Sequence, residues 1–347
     1  MQNKAFGADS PAAAEVQANL GALLHEQRKL EEAEPLYRQA LATREKAFGP
    51  LHAETLRTLG NLAALATDRR DFDQAEALYR DLLDRRKRAG GDDAPETLNA
   101  AATLAALYRL RGRPDEAEPL SRRVWQGRQK RFGADHVETQ RAARDLAEDL
   151  LTQGKLTEAR TLLEDAAASL RKAGDQLETG LTLSALGEAY FRAGDLPKAR
   201  ATLDEAQAIY DERMDEKDPR FAAQVLRLAR TMHAQGDLKG AETAYRRALT
   251  LREANLDPAD RRTIAARNAL ASLYRDQGRY TQAQAAYEKS LEAERTPSTL
   301  AALGAVYAAQ NMHDKAEPLF REALTVADRA SPGERAAGAR CDRAVLP

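Results

Sequence analysis

An alanine that returns about every 42 residues constrains this chain more than any other feature. Ala33, Ala75, Ala117, Ala159, Ala199, Ala241, Ala283 and Ala316 are separated by 42, 42, 42, 40, 42, 42 and 33 residues. Such a period marks a solenoid, in which each unit buries its apolar face only against its neighbours. Twelve residues before each alanine stands a small residue preceded by leucine: Leu20-Gly21, Leu62-Ala63, Leu104-Ala105, Leu146-Ala147, Leu186-Gly187, Leu228-Ala229, Leu270-Ala271 and Leu303-Gly304. Three residues after the small one, most units place a large apolar or aromatic residue such as Tyr108, Tyr190 or Tyr274. That grouping puts an apolar stripe with a notch on one helix face, where a neighbouring helix can approach closely. Four residues after each marker alanine come Tyr37, Tyr79, Ser121, Leu163, Leu203, Tyr245, Tyr287 and Phe320. Each unit therefore reads as helix, turn such as Gly154-Lys155-Leu156, helix.

Composition agrees. The 31% charged and 5% aromatic residues, with 20 glycines in 347, suit surface-rich helices and predict an all-α chain. Lys+Arg number 53 against 54 Asp+Glu, so the net charge of −1 gives no global field towards nucleic acid or anionic lipid. A single cysteine, Cys341, excludes an internal disulfide framework and fits a reducing, cytoplasmic location. No apolar run approaches the ~18 residues that would span a bilayer, and the expectation is no membrane association.

A search for chemistry finds none. There is no phosphate-binding glycine loop. The five histidines, His25, His52, His136, His233 and His313, show no metal-ligand spacing, so no metal and no cofactor are expected. His52 and His136 lie 84 residues apart, two periods, in equivalent loops after Phe48-Gly49 and Phe132-Gly133, and read as loop residues inherited by repetition. The basic clusters Arg85-Arg86-Lys87-Arg88 and Arg122-Arg123…Arg128…Lys130-Arg131 fall late in second helices, where cations complement the helix dipole. They read as solvated faces, not as a nucleic-acid site.

The Leu-small-x-x-Tyr and Ala-x-x-x-Tyr pattern resembles the tetratricopeptide repeat. The run AEPLYRQALATREKAFGPLHAETL from Ala33 to Leu56 is similar to the kinesin light chain-like subtype with its 42-residue repeat. The resemblance implies an α-solenoid of eight helix–turn–helix repeats in a right-handed superhelix, with first helices lining the concave side. Residues 10–330 are expected to form one array. Lys4-Ala5-Phe6-Gly7 matches Lys46-Ala47-Phe48-Gly49 one period on, so residues 1–9 read as the end of a preceding repeat. Ser331-Pro332-Gly333-Glu334 has the form of a capping box and predicts a short capping helix and tail over 331–347. Ser121, in place of an aromatic residue with Trp125 and Gly127 nearby, predicts local repacking of the third repeat.

In related repeats an Asn directly before the Leu-small pair holds the main chain of an extended peptide, and neighbouring Arg reads its acidic side chains. The matching residues here are Asn19 and Asn61, with Arg57, Asn99 and Arg141 one turn earlier and Arg227 at the Asn position of its repeat. Arg109, Arg230 and Arg275 follow on the same side, and Arg144 and Asn268 adjoin it. The Asn ladder lapses after the second repeat, and Asn99 with Thr103 breaks the expected basic pair. These residues predict a non-catalytic scaffold whose groove binds an extended peptide or helix, acidic in character. An alternative is the regulatory or sensor array of a larger signalling enzyme, such as a bacterial Ser/Thr kinase. Self-association through the end repeats is a further expectation.

Overall fold

The computed structural model describes residues 10–329; the expected repeat remnant at 1–9 and the capping helix and tail at 331–347 lie outside the described residues. Sixteen helices and no strand occur among the described residues. In chain order they are α1 (Pro11–Glu26), α2 (Leu30–Phe48), α3 (Ala53–Asp68), α4 (Phe72–Gly90), α5 (Pro95–Leu110), α6 (Pro114–Phe132) and α7 (Val137–Thr152). There follow α8 (Leu156–Ala173), α9 (Gln176–Arg192), α10 (Leu196–Arg213), α11 (Pro219–Ala234), α12 (Leu238–Asn255), α13 (Arg261–Asp276), α14 (Tyr280–Ala293), α15 (Pro297–Ala309) and α16 (His313–Arg329). Two compact units divide between α7 and α8, at Gln153–Gly154, and each is described by itself. The architecture is an α-solenoid of helical repeats, as the period predicts.

Odd-numbered helices are the first helices of the repeats and even-numbered ones the second. Every marker alanine is the fourth residue of a second helix. All eight are buried, at 0–4% exposure. A side chain no larger than a methyl group at so buried a position lets neighbouring helices pack closely there. The notch residues are equally constrained. A Cβ on Gly21 would stand 3.1 Å from the Tyr37 ring, and one on Gly187 would overlap the Leu203 side chain.

Turn chemistry repeats with the same register. Each pair is joined by three residues, and the middle one has positive φ in all eight turns: Arg28, Arg70, Gly112, Gly154, Gly194, Gly236, Gly278 and Asn311. Glycine takes that conformation freely, whereas an L side chain pays for it. Longer connections between repeats are latched in the first unit by threonine. Thr55 Oγ1 donates to the Gly49 carbonyl, Thr97 to Gly91 and Thr139 to Gly133, at 2.8–2.9 Å. The short 33-residue interval near the end is spread over three elements: α14 has 14 residues against 18 in α12, the connection that follows has three against five, and α15 has 13 against 16 in α13.

A four-residue cluster recurs in both units. In the first, Arg80 donates to the Tyr108 hydroxyl, and Arg113 lies 4.8 Å from the Tyr108 ring centre while pairing with Glu76 at 2.5 Å. In the second, Arg246 donates to the Tyr274 hydroxyl, and Arg279 lies 4.4 Å from that ring while pairing with Glu242 at 2.7 Å. The tyrosine three residues after the notch thus ties neighbouring helices through its polar tip as well as its ring.

Two substitutions test these constraints by urea unfolding. Arg70 is exposed, so Arg70→Gly should relieve the turn and raise stability by about 0.5–1 kcal/mol, net of the extra freedom glycine has when unfolded. Gly187→Ala should lower stability by about 1–3 kcal/mol through overpacking against Leu203. The opposite shift of either midpoint would overturn the corresponding argument.

Candidate functional site

On the first helices the small residue of the Leu-small pair turns against the second helix of its own repeat, as Gly21 does on Tyr37 and Gly187 on Leu203, which leaves the residue before the leucine and the one four earlier on a different face. In the first unit this face carries Asn19 on α1, Arg57 and Asn61 on α3, and Asn99 on α5; α1 and α3 approach each other directly. Asn19, Arg57 and Asn99 are exposed and Asn61 is half-buried. Among the described residues nothing in the chain hydrogen-bonds the Asn19 or Asn61 amide. Arg57 is held by Glu54, three residues earlier on the same helix. The Asn99 carbonyl accepts a 3.4 Å bond from Arg128 of α6, which also pairs with Glu138 at 3.2 Å.

Other expected residues are engaged within the chain. Arg141 pairs with Glu138 at 2.7 Å, and Arg144 is half-buried on α7. Arg109 reaches across to Asp149 and to Ser121, both at 3.1 Å, and Ser121 Oγ donates to the same Asp149 oxygen at 2.5 Å. Asp149 is fully buried. It stands where the equivalent repeats place Leu65, Leu107 and Leu273. Burial pushes its pKa up to about 6, although Arg109 and Ser121 both pull it down. This triad is the repacking that Ser121 predicted: removing an aromatic side chain made room for a carboxylate. The sequence showed the departure at Ser121 but not its partner.

In the second unit Glu188 of α9 is buried, with Arg192 at 2.7 Å and Arg230 of α11 at 3.5 Å. Burial alone would raise the Glu188 pKa; Arg230, Arg192 and Arg227 outweigh it and hold the carboxyl below its usual range. Arg230 also stacks on Phe191 at 4.8 Å. Arg227 donates to Ser184 Oγ at 2.8 Å. Asn268 of α13 donates to Thr299 Oγ1 at 2.7 Å, and its carbonyl oxygen is buried without a bond. Arg275 stays on its own helix, bonded to Ser272 and Asp276. The structure thus brings Arg227 and Arg230 together around Glu188, with Arg192, a residue whose Glu-x-x-x-Arg spacing was the one available signal.

The histidines and basic clusters have structural work. Nδ1 of His52 and of His136 accepts from the amide two residues on, capping α3 and α7, and each ring stacks on the preceding phenylalanine at 4.6 and 4.8 Å. Arg85 binds Glu45 and Asp81, Arg123 binds Asp92 and Lys130 binds Asp93. No metal-ligating cluster and no helix long and apolar enough to cross a membrane is present among the described residues.

The family model described as tetratricopeptide repeat matches residues 1–46, 12–88, 54–130 and 97–172, and that of the MalT-like TPR region matches 172–337. No curated protein matches the chain. Solved structures do. A kinesin light chain-like protein of Podosopora anserina with nearly identical TPR-like repeats is 22% identical, covering 58% of this chain and 96% of that one, with TM-score 0.53. The apo quorum sensor NprR from B. thuringiensis is 13% identical, covering 90% of this chain and 87% of that one, with TM-score 0.65. A Rap protein complexed with Competence and Sporulation Factor is 12% identical, covering 92% and 99%, with TM-score 0.56. At these identities the likeness is one of fold.

Asp149 supplies a test of the buried triad. Its pKa is raised on folding, so the native state holds the extra proton between the unfolded value and about 6. The group's ionisation therefore costs stability as pH rises through that window, by a total on the order of 3 kcal/mol. Urea unfolding of wild type and Asp149→Asn should show wild type gaining on the variant as pH falls from 7 to 4. A gap between the two that is constant with pH would overturn this account.

Proposed function

Because this chain belongs to the tetratricopeptide repeat family, we propose that it is a non-catalytic protein–protein interaction scaffold, and that the first-helix face of α1, α3 and α5 holds an extended peptide or helix of a partner. One observation carries the reading. Asn61 is half-buried on α3 with no hydrogen-bond partner among the described residues, and Asn19 holds the same register position one repeat earlier. A carboxamide can donate to a carbonyl and accept from an N–H at once, so two of them one period apart can grip a peptide main chain.

Arg57 is the residue to read an acidic side chain there. Its present partner, Glu54, forms an exposed i,i+3 pair, and such pairs are worth about 0–1 kcal/mol. Exchange for a ligand carboxylate, with its bidentate geometry, is inexpensive. Arg109 and Arg141 serve less well, because Asp149 and Glu138 already hold them. In the second unit Arg227 commits one bond to Ser184 and keeps further donors for a carboxylate. The likeness to a Rap protein seen complexed with Competence and Sporulation Factor supports capture of a small partner by this fold. The likeness to a quorum sensor supports a sensor role, which is what the alternative, the regulatory or sensor array of a larger signalling enzyme, would have.

The double variant Arg57→Ala/Asn61→Ala is the test. Peptides selected on the wild-type protein from a displayed library should contain Asp or Glu and should bind the double variant at least tenfold more weakly in a titration, at an unchanged melting temperature. Equal affinity for both proteins would sink the assignment of this face.

A further inference from the structure

Among the described residues, the first and last helices, α1 and α16, carry apolar faces that the interior of the array keeps covered. On α1, Val16, Leu20 and Leu23 are 44%, 44% and 50% exposed, spaced as one stripe. Their equivalents one period later on α3, Thr58, Leu62 and Leu65, are at 0–1%. Leu62 and Leu65 pack with Ala33 and Tyr37 of α2, and Thr58 accepts a 2.6 Å bond from Arg44 of the same helix. The same stripe on α15, Thr299, Leu303 and Val306, is buried at 0–4%, and Leu303 and Val306 share a cluster with Tyr287 and Leu291 of α14. The stripe on a first helix is therefore the surface that seats on the preceding second helix.

The other end shows the mate of that surface. Phe320 and Leu324 of α16 are 38% and 68% exposed, whereas their equivalents on α14, Tyr287 and Leu291, are at 2% and 7%. With Pro297, Ser298 and Ala301 of α15, and Ala323 and Ala327 of α16, they line an open and almost wholly apolar groove. In the interior, a groove of this kind receives the next first helix.

We propose that α1 of one copy seats in the α15/α16 groove of a second copy, so that the protein associates head to tail through the same interface that joins its own repeats. Commitment to a second copy rests on continuity with that interface: the chain presents both halves of a junction it already builds, in matching register. The polar pairing also fits. Where the first internal junction buries Arg44 on Thr58, the two ends offer Ala327 and Val16, so closing them buries neither an arginine nor a hydroxyl without a partner. The contact is heterologous, using different patches on the two copies, and it propagates beyond a dimer.

Sedimentation velocity over a concentration series tests this with the full chain. Wild type should gain mass with concentration and pass the dimer without a plateau. Leu20→Glu and Leu324→Glu, each at an exposed site, should each stay monomeric alone. Mixed one to one they should form dimers and nothing larger, because one good head meets one good tail. Leu23→Arg and Phe320→Arg give a second pair should either glutamate variant lose its helical circular dichroism. A wild type that stays monomeric throughout would overturn the proposal. So would self-association of Leu324→Glu alone, which would mean α1 pairing with α1. If wild type is monomeric and deletion of residues 331–347 makes it associate, the occupant of the groove is this chain's own tail, and the proposal also fails.

Discussion

Everything in this protein depends on how closely the two helices of a repeat approach each other. The marker alanine on the second helix and the small notch residue on the first leave room for one large side chain each way. Tyr37 lies 3.1 Å from where a Gly21 Cβ would be, and Phe320 lies at the same distance from Gly304. Dispersion and apolar burial fall off steeply with any gap, so this spacing fixes the depth of each repeat. The three-residue turn then has one solution, with its middle residue left-handed whether it is Gly, Arg or Asn. Local turn strain at Arg28, Arg70 and Asn311 is the cost of keeping that register.

Charge plays a second, subordinate part. With 53 cations and 54 anions the chain is nearly neutral, and the structure shows where the charge goes. Arginine is bonded within its own helix, as Arg57 to Glu54, or across repeats, as Arg113 to Glu76 and Arg279 to Glu242. Of these, the exposed Arg57–Glu54 pair adds little stability by itself. The two cross-repeat pairs are partly buried. They orient the arginine stacked on Tyr108 and Tyr274, and they decide which cations remain cheap to recruit. Arg109 and Arg57 illustrate the difference. Both lie on first-helix faces, but Arg109 neutralises a fully buried Asp149, and taking it away would strand that charge.

Much of this was legible in the chain itself. The alanine period located all eight second helices, because a position that admits only a methyl group leaves its mark in every repeat. The histidine loops could be paired by their 84-residue separation, since the same cap was copied with the repeat. The polar contents of the third repeat were less legible. Ser121 announced a change, yet Asp149 and Arg109 lie 28 and 12 residues from it in sequence. Arg192 went unnoticed for a related reason: an i,i+4 pair on an exposed helix looks the same whether its glutamate is solvated or, like Glu188, buried.

The sequence alone determined the architecture: a repeated alanine, a repeated notch and a repeated turn admit a solenoid of helical hairpins and little else. Those constraints are local, each satisfied within one repeat and its neighbour, so the order of residues suffices to state them. Only the tertiary structure decided which polar residues of the first-helix faces are engaged within the chain. Whether Asn61 is unpartnered, Arg109 committed, or Leu20 exposed depends on which side chains converge from other repeats. That convergence is set by helix packing across tens of residues, which no single stretch of sequence records.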